Sequence, residues 1–364
     1  MTNYIARRLI QSLGLLFFVS LLIYVIINLV PGGPFDLLRQ ANPRITQSQI
    51  DRLNALLDLD KPILPGQYCP QIGDDVQPCR FDQGRYIRWL TRVFRGDWGN
   101  SWTVKTGMAV TELISIRLGY TVLLMGLSLI MALVIAIPLG IYSAVKQYSV
   151  MDYLVTTLAF FGQSMPTFWT GLMAIAIFSV ALDVFPTGGV RTSGMEGDII
   201  EALANIFTAG HAHPELHGQE PALIWDGLHH VALPALVLTF FNLAGWSRFT
   251  RSAMLEVLRQ DYMRTARAKG LIERLVILKH GLRNTMIPLI TLIGLAIPGL
   301  FGGALITETI FSWPGMGRLL IDAISNVDWP IVQGILVITA GLVIFSNLLA
   351  DVTYGLVDPR VQYR

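Results

Sequence analysis

GYTVLLMGLSLIMALVIAIPLGIYSAV, residues 119–145, contains no Asp, Glu, Lys, Arg or His. A hydrocarbon core about 30 Å thick is crossed by about 20 residues of helix, so this run is long enough to span a bilayer. Five more runs free of charge have a similar character: Leu9–Val30, Tyr153–Leu182, Val231–Ser247, Asn284–Thr307 and Trp329–Ala350. The fourth in chain order, Val231–Ser247, is the shortest. Charged residues make up only 14% of the 364, against roughly 25% in soluble domains. Strands of a membrane barrel would be about half as long and polar at every second position. The expected fold is therefore all-α and integral to the membrane, with six transmembrane helices. Arg7 and Arg8 precede the first run as in a secretory signal, but the apolar stretch is too long and PGGP follows it instead of a small-residue cleavage site.

Short loops rich in Lys and Arg stay in the cytoplasm, which orients the spans. Residues 248–283 hold nine basic residues against Glu256, Asp261 and Glu273, whereas residues 183–230 hold Arg191 against seven acids. The first segment is predicted inside and the second outside. Six spans then place both termini in the cytoplasm, where Arg7, Arg8, Arg360 and Arg364 agree with them. The connector 31–117 falls outside; its arginines are nearly balanced by acids, and long loops translocate largely regardless of charge. Cys69 and Cys79, the only cysteines, both lie in it. A disulfide there would be stable and would clip a short loop, the alternative being two unpaired thiols.

The basic segment has an order that charge alone does not explain. From Met254 to Gly270 the spacing predicts one helix, with Leu258, Tyr262, Thr265 and Ala266 recurring at helical intervals while Arg259, Arg264 and Arg267 point elsewhere. Gly270 reads as its stop, and the small residues Ala266 and Ala268 would let another surface approach the backbone. A basic loop meeting anionic lipid heads is the plainer alternative.

YMRTARAKGL followed by HGLRNTMIPLI resembles the cytoplasmic loop of the inner-membrane permease subunits of dipeptide and oligopeptide ABC importers. PGGP after the first span, RGDWGNSW (95–102), GQSMPTFWTGL (162–172), ETIFSWPGMGRLLIDAI (308–324) and the tail VDPRVQYR resemble the same family. The resemblance implies a type I importer permease fold with a large outer insertion after the first helix. It divides the chain into a tail and first helix (1–30), an extracytoplasmic connector (31–117), a permease domain of five helices (118–355) with its coupling loop at about 250–283, and a cytoplasmic tail (356–364). It implies a bacterial or archaeal inner membrane and an ATPase-coupling segment comprising Glu256, Asp261, Tyr262, Arg264, Thr265, Ala266, Arg267, Ala268, Lys269 and Gly270. The implied partners are a second homologous permease, two ABC ATPase subunits, an extracytoplasmic substrate-binding protein and membrane lipid, with no nucleic acid. Where the general permease loop opens Glu-Ala-Ala, this chain has Arg264, Thr265 and Ala266, as in the peptide branch.

No G-x-x-x-x-G-K-[ST] phosphate loop occurs in the sequence, so ATP and magnesium are expected on the partner ATPases, with no cofactor on this chain. The spans carry no ionisable side chain, which disfavours an ion-coupled carrier. Pro138, Pro166, Pro234, Pro288 and Pro298 interrupt them. Gln163, Ser164 and Asn242 are candidates for the passage lining, interhelical hydrogen bonding being the alternative for each. Trp313, Pro314 and Gly315, in the segment between the last two spans, are candidates for an outer gate, against a plain connecting loop. HAHPELH (211–217) holds three histidines without a tidy metal motif, so no metal site is assigned and solvated histidines are expected. A membrane-embedded metal-dependent hydrolase using these histidines is the competing function, and it lacks a nucleophile constellation. In the connector, ITQSQIDRLNALLDLD (45–60) predicts an amphipathic helix with Ile50, Leu53, Leu56 and Leu57 on one face. GRYIRWLTRVFRGD (84–97) predicts another with Tyr86, Leu90 and Phe94 aligned, resting at the membrane interface or touching a delivery protein. The resemblance also admits nickel complexes or oligosaccharides as cargo.

Overall fold

The computed structural model describes residues 2–29, 46, 49, 52, 54–55, 59–69, 71–72, 75–76, 79–208 and 212–357. The predicted helix with Ile50, Leu53, Leu56 and Leu57, the PGGP turn, His211 and the tail beyond Val357 lie outside these residues. The described residues are overwhelmingly helical, and the chain divides into two compact units.

The first unit comprises Met1–Ile116 and Leu319–Leu348. Helix α1 (Thr2–Leu29) opens it. The connector then forms two small antiparallel pairs, β1 (Gly66–Tyr68) with β4 (Arg80–Asp82) and β2 (Gln71–Ile72) with β3 (Asp75–Val76), and Cys69 is bonded to Cys79. These strands carry no long alternating pattern and were not anticipated. Helix α2 (Arg85–Phe94) follows. Its buried side is Tyr86 and Trp89, packed with Tyr24 of α1 and with Val337. The Tyr24 ring lies 5.4 Å from both the Tyr86 and Trp89 rings, and the Tyr86 hydroxyl and Ser20 Oγ are 2.9 Å apart. The predicted stripe ending in Phe94 is thus corrected: Phe94 is 82% exposed, because Trp89 supplies the larger apolar surface and turns the helix toward α1. Asp328, fully buried, accepts hydrogen bonds from Ser101 Oγ (2.7 Å) and from the backbone N–H groups of Thr103 (2.9 Å) and Val104 (3.0 Å), fixing that loop.

The second unit is centred on Arg117–Arg318. Helix α3 (Val110–Val145) begins in the first unit and runs through Pro138 into the second; α4 (Val150–Ser164) and α5 (Thr167–Ala174), the latter continuing as a π-helical stretch Ile175–Ala181, follow it. Helices α4 and α5 meet at 104°. The cause is local: Pro166 lacks an N–H and pushes the residue before it out of the helical region, and Met165 and Pro166 are both extended, with ψ of 133° and 132°. The third span is a broken one. Next come α6 (Ile199–Phe207), opened by a capping box at Asp198, and α7 (Glu220–Leu258). The shortest apolar run therefore sits inside the longest helix, which carries its charged ends beyond the apolar stretch. Both α4 and α5 pack on α7, and α3 meets α7 through Tyr120, Leu124, Val231, Ala235 and Leu238, with Trp313 in the same cluster.

After α7 the single predicted helix is also corrected. The chain breaks at Arg259 and the extended Gln260 (ψ 149°), and a separate α8 (Asp261–Ala268) follows. The chain re-enters helix at Glu273–Leu275, passes through a π-helical stretch Val276–Leu282 and continues as α9 (Arg283–Ala296). A 3-10 turn at Ile297–Phe301 contains Pro298. Helices α10 (Leu305–Ile310), α11 (Met316–Ser325) and α12 (Trp329–Val357) complete the chain. Among the described residues five helical stretches are long and apolar enough to cross a bilayer, or six with the bent α4–α5 pair counted as one span.

Candidate functional site

The basic segment is built on α8. Its inner side is Met263 and Ala266, buried with Val276 and flanked by Val257 and Leu258. Ala266 lies on the predicted stripe, but Met263 and not the predicted Tyr262 and Thr265 faces inward beside it: the break at Gln260 restarts the helix and shifts the buried side. Ala266 consequently packs against its own chain, while Asp261, Tyr262, Arg264, Thr265, Arg267, Ala268, Lys269 and Gly270 are exposed, as is Glu256 at the end of α7. Partial desolvation raises the Tyr262 hydroxyl above its usual range although the side chain is 42% exposed. Arg267 pairs with Glu273 at 2.9 Å and Arg264 lies 3.7 Å from Asp261, both on the surface.

Gly270 ends α8 with φ +77°, its N–H donating to Arg267 O at 2.9 Å. No atom lies within 4 Å of where its Cβ would be, so backbone conformation and not space selects glycine there. Gly281, in the π-helical stretch, lies against α7: a Cβ there would stand 2.7 Å from Met254 Cε and 3.5 Å from Met263 Cε. Met254, Met263 and Val276 are completely buried. The end of α7, α8 and the entry to the fifth span are therefore packed against one another.

A second anchor lies close by. Arg251 of α7 donates from Nε and Nη2 to the two carboxylate oxygens of buried Asp152, each at 3.1 Å. Ser143 also donates to Asp152, as does the Tyr148 backbone N–H at 2.9 Å. The turn between α3 and α4 is thus tied to α7. Sequence reasoning missed this pair because Asp152 sits one residue outside an uncharged run, and nothing in the order of residues announces its partner.

The candidate lining residues do not form one cluster. Gln163 and Ser164 stand at the break of the third span: Gln163 Oε1 accepts from Arg248 Nη2 at 2.6 Å, and Ser164 Oγ donates to Phe160 O. Asn242, on α7, donates to Leu238 O at 2.9 Å. Trp313, expected at an outer gate, is completely buried, its indole N–H donating to Tyr120 O at 2.9 Å. Gly315 is held by a group that sequence reasoning passed over. Fully buried Glu308 accepts from Thr121 Oγ1 (2.9 Å) and from the Arg318 N–H (3.1 Å), and a Cβ on Gly315 would lie 2.4 Å from its carboxyl carbon. Glu308 follows an uncharged run directly and reads from sequence as the start of a loop. His213 is 3.2 Å from Glu215 and His217 is 3.7 Å from Glu220; among the described residues, no three His, Cys, Asp or Glu side chains gather as a metal site.

The candidate spans and the exposed basic helix describe a multi-pass helical membrane protein. Residues 136–363 match the family model described as the inner membrane component of binding-protein-dependent transport systems, and the chain belongs to that family. It is 41% identical to the oligopeptide transport system permease AppB of Bacillus subtilis, over the whole of both chains. It is 37% identical to the dipeptide transport system permease DppB of Escherichia coli K12, again over the whole of both. With the oligopeptide transport system permease OppB of Mycobacterium bovis the identity is 35%, over all of this chain and 99% of that one.

Proposed function

We propose that this chain is one permease subunit of an ATP-driven importer of dipeptides or oligopeptides, and that α8 is its ATPase-coupling helix. It works with a second homologous permease, two ABC ATPases that hold ATP and magnesium, and an extracytoplasmic binding protein, in an inner membrane with both termini cytoplasmic. The chain itself performs no chemistry on its cargo. The observation that carries the reading is full-length similarity to three permeases whose names all specify peptide transport.

The geometry supports a mechanical role. A push on the exposed side of α8 passes through Met263 and Met254 into α7, and through Val276 and Gly281 into the fifth span. Helix α7 carries the displacement to α4 and α5, which pack on it on either side of the Pro166 break. ATP-driven closure of the ATPases thereby alters the packing of the broken span. Division of the chain at residues 31 and 118 remains part of this proposal.

The test is reconstitution of the complex in proteoliposomes with the binding protein and radiolabelled di- and tripeptides. ATP-dependent accumulation of peptide is expected. Uphill uptake by this chain alone, or movement of nickel complexes or oligosaccharides but of no peptide, overturns the reading.

A further inference from the structure

Helix α2 places Arg85, Arg88, Trp89 and Arg92 at i, i+3, i+4 and i+7, which is one face of a helix. All four line a cleft of about 430 Å³. Its walls also include Tyr24 and Asn28 from the last turns of α1, the indoles of Trp98 and Trp102, and Trp329 and Gln333 from the first turns of α12. The cleft therefore lies where two spanning helices end, at the edge of a bilayer.

Among the described residues of the wall, three guanidinium groups stand beside one carboxylate, Asp97, whose Oδ1 is already committed to the Gly99 N–H at 2.9 Å, and Arg85 and Arg88 have other partners as well. Arg88 is steadied by Asp82, at 3.0 Å. The Arg92 side chain makes no hydrogen bond or ion pair among the described residues. Guanidinium groups match the geometry of phosphate oxygens bidentately. Indoles at the end of a span suit the boundary between headgroup and acyl chain.

We propose that this cleft binds a phosphate-bearing anion, supplied by the headgroup of an anionic phospholipid at the bilayer edge. The site lies outside the coupling segment and does not depend on the cargo or direction of transport. Binding there would tether α2 to the ends of α1 and α12.

The test is native mass spectrometry of the full chain in detergent, titrated separately with phosphatidylglycerol, phosphatidylcholine and sodium phosphate. Phosphatidylglycerol is expected to be retained well above phosphatidylcholine. Arg92→Gln should reduce that retention about tenfold, the scale of one charged hydrogen-bonding group. Arg92→Lys should restore part of it, and Arg95→Gln, an equal loss of charge one residue beyond the helix, should leave it unchanged. Melting temperature identifies any variant that fails to fold, and the Arg92→Lys measurement then carries the comparison. Sodium phosphate bound with the same Arg92 dependence, without a preference among lipids, supports the anion site and moves its source to solution. Equal losses in Arg92→Gln and Arg95→Gln overturn the proposal. So does an Arg92→Gln effect confined to association with a protein partner, or failure to bind either phosphatidylglycerol or phosphate.

Discussion

Arg251 holds Asp152 by two parallel hydrogen bonds of 3.1 Å, joining the turn after α3 to the helix that leads into α8. Asp152 is only 4% exposed, so removing its guanidinium partner leaves a buried carboxylate with Ser143 and a backbone N–H alone. Arg251→Ala is expected to destabilise the chain by about 2 kcal/mol. It should also lower transport-coupled ATP hydrolysis in the assembled complex, with partial recovery in Arg251→Lys. Thermal unfolding in detergent and ATPase assays measure the two effects.

Gly270 provides a separable test of the lever. Its φ of +77° is strained for any residue with a Cβ, while the space around it is open. Gly270→Ala should cost about 1 kcal/mol, and Gly270→Asn less, because Asn visits the left-handed region more readily. A bulky replacement that left both stability and coupling untouched would show that the turn is unimportant.

Gly140 of α3 packs closely against α7. A Cβ there would lie 2.7 Å from Ser247 O and 2.7 Å from the Thr250 Cβ. Both neighbours belong to a buried helix, so neither can give way cheaply. Gly140→Ala is expected to cost about 1–3 kcal/mol through overpacking, seen as a lower melting temperature of the purified chain.

Glu308 sets a pH dependence. Burial pushes its carboxyl above the ordinary 4.5, against the opposing pull of hydrogen bonds from Arg318 and Gly317 N–H, Thr121 and the Ala304 N–H. A group with a raised folded pKa binds its proton more tightly in the folded chain. Its contribution is therefore complete below pH 4.5 and is lost as pH rises through the folded value. Glu308→Gln should flatten the fall in melting temperature over that window; an unchanged profile would show that Glu308 is not responsible.

The membrane-spanning runs were legible because hydrocarbon forbids what water tolerates: a stretch from Gly119 to Val145 without charge has few other uses. The reading of Gly270 as a helix stop was legible too: the helix Asp261–Ala268 ends there in a left-handed turn. Helix phase was not legible. Ala266 kept its place on the predicted stripe, but Met263 took the buried side from Tyr262 and Thr265 because of one extended residue, Gln260, with no strong propensity of its own. Pro166 signalled an interruption, but a proline by itself does not announce that the helices on either side meet at 104°. Asp152 and Glu308 escaped notice for a related reason: a charge at the margin of an apolar run looks solvated until the fold supplies its partners.

Helix α7 runs unbroken from Glu220 to Leu258, 39 residues, or about 58 Å at 1.5 Å per residue. That is nearly twice the thickness of hydrocarbon it must cross, about 30 Å. One axle thus protrudes from both faces of the bilayer. In the proposed assembly, the end of the rod that leads into α8 and the end on the opposite side of the hydrocarbon belong to one continuous piece of backbone.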